Sequence, residues 1–177
     1  MSRRGTTVTL GALALVVSSV VWAPAGQAGT AMDEAVTCTG DAHGHYDPPL
    51  TLLPQETRIH AHVRYSCTVA PGHTLPATGF FSTVEPSAVC VSLSEARGTE
   101  IVHYADGRRS VIVIDGGTTT RAAGTLSVLQ SGRVVAGRGE GHFVRRTVTS
   151  LARQLPTECL TSGLDHTENE VQLEILP

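Results

Sequence analysis

The chain has 177 residues, 41% of them hydrophobic and only 4% aromatic, with thirteen basic residues that are all arginine and a formal charge of −3. An acidic balance with scattered arginines lacks the basic patch that phosphate backbones require, so nucleic acid is excluded as a partner. Some 150 residues beyond the N-terminal leader are enough for one domain that buries its own core.

Arg3 and Arg4 open the chain, an apolar run follows from Val8 to Trp22, and small residues close the segment. That order of charge, oil and small residues is the pattern of a secretory signal. Residues 1–29 are assigned to it, with cleavage near 25–31 after Ala25, Ala28 or Ala31, leaving 30–177 as the secreted domain. The run is roughly fifteen residues, short of the roughly twenty that a spanning helix needs, so the mature form has no membrane anchor. Export places Cys38, Cys67, Cys90 and Cys159 in an oxidising space, where two disulfides are the default. Spacing alone leaves three connectivities open. No two cysteines are close enough in sequence to form a zinc knuckle.

Beyond the leader, apolar and polar residues alternate with a period of two, valine and threonine are frequent, and glycine-bearing turns recur. The pattern predicts an all-β fold: an antiparallel two-sheet sandwich or a partly closed barrel of 8–10 strands in a single domain. The expected strands are 35–46, 57–69, 78–84, 87–93, 99–105, 108–114, 121–130, 133–137, 141–150 and 169–176.

The first two strands carry the most specific pattern. If Cys38 faces Cys67 across an antiparallel pair, Gly40 meets Tyr65, Ala42 meets Val63, Gly44 meets Ala61 and Tyr46 meets Ile59, all on one apolar face. On the other face His43 meets His62 and His45 meets His60, bracketed by Asp41 with Arg64 and Asp47 with Arg58. Cross-strand pairs of these kinds contribute roughly 0.2–1 kcal/mol each, and a slip of one residue would bury the arginines. The register therefore predicts Cys38–Cys67, with Cys90–Cys159 as the remaining pair. Two such histidine pairs on facing strands are a candidate zinc or copper set, His43, His45, His60 and His62. The competing readings are a solvated polar stripe and a pH-sensitive face, since histidine changes charge in the physiological range.

Farther along, Val69–Gly79 (VAPGHTLPATG) has the proline content of an exposed loop, the candidate reactive loop of a protease inhibitor. Asp106-Gly107 and Ser131-Gly132 read as two-residue hairpin turns. Ser92–Gly98 and Leu151–Leu160 are the only stretches with helical character. In GRGEGHF the glycines Gly137, Gly139 and Gly141 keep strand period instead of the spacing of a nucleotide fingerprint, which predicts coiling of a strand. Hydrolase signatures are missing; Glu140 with His142, and Asp165 with His166 and Glu168, are the acid and base candidates for a hydrolase acting on extracellular polymer.

The order CTG…Y.PPLTL.P…YSC, a further cysteine strand, the Y-x-D-G hairpin, RAAGTLSVLQSGRVVAGRGEGHFVRRTVT, ECLTSGL and an apolar final strand resembles a group of small secreted actinobacterial proteins. The resemblance spans nearly the whole mature chain. It implies an exported, cysteine-containing β domain and no particular activity, cofactor or catalytic residue. A stapled β scaffold with variable loops suits presentation, so the expected function is non-catalytic binding of an extracellular protein, a wall component or a small ligand.

Overall fold

The computed structural model describes residues 35–90, 97–122, 125–151 and 155–177, all within the second of the chain's two units, Ala31–Pro177. The leader at 1–29 and most of the helical stretch from Ser92 lie outside the described residues. Eight strands follow one another: β1 (Val36–Leu50), β2 (Gln55–Ala70), β3 (His73–Ala88), β4 (Gly98–Tyr104), β5 (Arg109–Ala122), β6 (Thr125–Gly137), β7 (Phe143–Leu151) and β8 (Leu164–Leu176). One short helix, α1 (Leu155–Leu160), precedes β8.

Each strand pairs antiparallel with the next, and β8 pairs antiparallel with β1, so a single sheet closes into an eight-stranded barrel. This decides between the two architectures expected from the alternation: there is one sheet, not a sandwich of two. A meander of even strand number brings its first and last strands together in antiparallel sense, and closure removes both exposed edges.

The alternation sorts faces as expected. In β1, Cys38, Ala42, Gly44 and Tyr46 are buried while Asp41, His43, His45 and Asp47 are exposed. Most of the interior is apolar and most of the histidines, arginines and carboxylates are outside, the reverse of a barrel that faces lipid. Among the described residues no helix is long and apolar enough to cross a membrane. One end of the barrel is filled by Val36, Val134, Val144 and Ile175. At the other, Leu50, Ile59, Leu126 and Leu164 pack with Cys90 and Cys159.

Both disulfides are those expected, Cys38–Cys67 and Cys90–Cys159. The first lies within the β1–β2 ladder, which keeps the expected register from Thr37↔Thr68 to Asp47↔Arg58. Extension of β1 to Leu50 and of β2 back to Gln55 shortens the connection that separated the two expected strands.

Four local expectations are corrected. The stretch 69–79 is no extended loop: β2 and β3 turn at Pro71-Gly72, with Ala70 paired to His73 and Thr68 to Thr74. The β4–β5 turn is one residue longer than expected, Tyr104 N–H bonding to Arg108 O at 2.9 Å around Ala105–Gly107. Ser131-Gly132 is not a turn; β6 runs straight through it, Gly132 paired with both Ile114 and Val144. A Cβ at Gly132 would collide with the Val113 carbonyl, so this glycine reports close approach of two strands. Finally, Gly137, Gly139 and Gly141 have φ of +90°, +74° and +87°. They build the β6–β7 connection in the left-handed region, where a side chain is costly, in place of a coiled strand. That connection tucks Arg138 and His142 under the barrel, Gly139 lying against Ile175.

Candidate functional site

Strands β4 and β7 each break the inward apolar pattern once. Glu100 is in phase with Val102 and Tyr104, and Arg146 with Val144 and Val148, so both charges point into the barrel. The two strands share no ladder and face each other across the interior. There Arg146 Nε meets Glu100 Oε2 at 2.8 Å, with 3% and 0% of the side chains exposed. The Tyr65 hydroxyl donates to Glu100 Oε1 at 2.8 Å. Arg146 Nη1 donates to Gln130 Oε1 at 2.6 Å, and the guanidinium lies 4.9 Å from the Phe81 ring centroid. Room for the carboxylate and the tyrosine comes from Gly79, whose Cβ would stand 2.7 Å from Glu100 Oε1 and 2.8 Å from Tyr65 Cε2.

Burial is the largest single influence on Arg146 and opposes its charge, but the Glu100 carboxylate and the Tyr65 hydroxyl together outweigh it and hold the guanidinium above its usual pKa. Tyr65 is held well above the ordinary tyrosine value, first by burial and then by the negative charge of Glu100. The network thus pairs the Glu100 carboxylate with the Arg146 guanidinium beside a neutral phenol.

Above the network lies a chamber of about 60 Å³ within the sheet. Its walls combine small or aliphatic residues, among them Ala42, Ala61 and Val148, with the rings of Tyr46 and Phe81, and Arg146 and Gln130 line it, whereas Glu100 does not. Glu100 stands behind Arg146 as its counter-ion. Two polar wall residues bond to Thr167 behind them: the Tyr46 and Thr167 hydroxyls are 3.0 Å apart, and Asn169 Nδ2 donates to Thr167 Oγ1 at 2.9 Å. A larger concavity of about 600 Å³ is a saddle on the outer surface, lined by strand-face residues such as Thr39, Asp41, Ser66 and Gln172. It contains no enclosed charged group comparable to Arg146, so the chamber is the stronger candidate.

The four histidines form one outer band. His43 pairs with His62 and His45 with His60. Closure by β8 adds His166 opposite His45 and Glu168 opposite His43. The rings are not drawn into one coordination sphere. His43 Nδ1 faces Glu168 at 3.7 Å and its Nε2 faces Arg64 at 3.4 Å, while His60 and His62 lie against Phe80 with centroids 5.8 and 5.0 Å away. Among the described residues no three His, Cys, Asp or Glu side chains are grouped to hold a metal. The ring and guanidinium contacts draw the imidazoles toward different neighbours.

Of the acid and base candidates, Asp165 and His166 come together on the surface, whereas Glu140 and His142 differ in burial. Asp165 and His166 are 2.5 Å apart with 58% and 71% of their side chains exposed, and the His166 bond holds the Asp165 carboxyl below its usual value. Glu140 is exposed on the β6–β7 connection while His142 is buried beneath it. Glu100, Arg146 and Gln130 were missed in the sequence, although the signal was there: a charged or amide side chain in phase with apolar neighbours on a strand. Compared with protein-family models, curated proteins and solved structures, the chain matches none.

Proposed function

We propose that the chain is a secreted, non-catalytic binding barrel that takes a small ligand into its interior chamber. The leader pattern and two disulfides fit an oxidising extracellular space. Eight strands enclose an interior that side chains can fill or that can hold one small ligand. Here alanines and glycines on β1 and β2 leave part of it unfilled. The observation that carries the reading is Arg146, fully enclosed yet lining that chamber. A buried ion pair is weak evidence for stability, since both partners lose their hydration on burial. An apolar chamber with a few convergent polar groups is the usual form of a small-molecule site.

Protein purified in native form from its producing organism is expected to release a bound small molecule on denaturation. Ala61→Leu and Ala42→Val, which fill the chamber from two different walls, are expected to release much less. Equal release from wild type and both variants would place the ligand elsewhere and end this reading.

A further inference from the structure

We propose that the chamber selects uncharged ligands bearing a hydrogen-bond acceptor, such as a carbonyl, on a small aliphatic body, and rejects carboxylates of the same shape. The inference rests on the binding function proposed above and specifies its ligand class.

Three observations carry it. Arginine is a donor only, with five N–H groups, more than its contacts to Glu100 Oε2, Gln130 Oε1 and the Tyr65 hydroxyl take up. The chamber therefore offers donors at its polar end, and the matching ligand group is an acceptor. Second, the charge of Arg146 is already balanced by Glu100 from behind. Tyr65, the other titratable group on that network, is held neutral. An incoming carboxylate would leave one net negative charge in an enclosed interior, beside a second carboxylate, and buried charge without its own counter-charge is strongly disfavoured. A carbonyl takes the same donors and adds no charge.

The third observation is size and lining. Around the polar end stand Ala42, Ala61, Val128, Val148 and Phe81. The other polar groups on the wall are already engaged, Tyr46 and Asn169 with Thr167 and the Thr83 hydroxyl with the Val84 carbonyl. At about 10–15 Å³ per water, a chamber of about 60 Å³ has room for some four to six waters, which suits a ligand of about six non-hydrogen atoms.

Isobutyramide and isobutyrate make a matched probe pair, nearly identical in shape and differing by one charge. Titrations followed by methyl resonances of Ala42, Ala61, Val128 and Val148 are expected to show isobutyramide binding wild type at least about tenfold more tightly than isobutyrate. Glu100→Gln removes the compensating charge and is expected to reverse the preference toward isobutyrate. Arg146→Met is expected to abolish discrimination. Equal or tighter binding of isobutyrate to the wild type, a comparison that needs no variant to fold, overturns the selectivity. If neither probe shifts the chamber methyls in wild type or in Glu100→Gln, the binding function itself falls with it.

Discussion

Glu100 and Arg146 lie on strands that share no hydrogen bond, yet their side chains meet at 2.8 Å inside the barrel with 0% and 3% exposed. Removing one partner strands the other charge in the interior, so Glu100→Leu and Arg146→Met should each cost about 3–5 kcal/mol. Replacing both with apolar groups of similar volume is expected to restore most of that loss. Urea denaturation of the two single variants and the double variant closes the cycle; additive losses would show that the two residues do not act as a pair.

All three tyrosines of the chain, Tyr46, Tyr65 and Tyr104, are buried. Each is held above the ordinary tyrosine value chiefly by burial, Tyr65 most. The folded state thus keeps these protons to higher pH than the unfolded chain does. Stability is full below the unfolded tyrosine value near 10 and falls as pH rises above it. Absorbance at 295 nm is expected to show no tyrosine ionising at its ordinary pKa, followed by one cooperative step coincident with alkaline unfolding. An early independent step would mean that at least one ring is accessible.

Gly79 has no room for a methyl group: its Cβ would stand 2.7 Å from Glu100 Oε1, 2.8 Å from Tyr65 and 3.3 Å from Val63 Cβ. Overpacking of this kind costs about 1–3 kcal/mol. Gly79→Ala is expected to lower the denaturation midpoint and to loosen the Tyr65–Glu100 bond, lowering the pH at which Tyr65 ionises. A variant as stable as wild type, with unchanged tyrosine titration, would show that β3 can move away at little cost.

The bonds Cys38–Cys67 and Cys90–Cys159 close separations of 29 and 69 residues. Loop-closure entropy assigns them about 3.5 and 4.5 kcal/mol, so removing the second pair should be the more damaging. Peptide mapping without reduction checks the pairing, and thermal denaturation of the two double-alanine variants checks the order. The reverse order would show that bracing the β1–β2 ladder outweighs the longer loop.

The all-β character, the alternation of faces and the β1–β2 register are legible in the residues alone, because each depends on neighbours along a strand or across one hairpin. Thr37 to Asp47 could be aligned against Arg58 to Thr68 by matching cysteine with cysteine, acid with arginine and tyrosine with small residues. The same local view mistook the glycines of β6 and its following turn, since Gly132 is required by the Val113 carbonyl of a strand elsewhere in the chain. Closure of the sheet, which brings His166 beside His45 and the β8 carboxylates against β1, emerges only when all eight strands are assembled. It alone joined Glu100 to Arg146. Their phase along β4 and β7 carried an unread signal that both point inward, but which inward charge meets which depends on the strand number and curvature of the closed sheet, properties of the whole barrel that no single strand encodes.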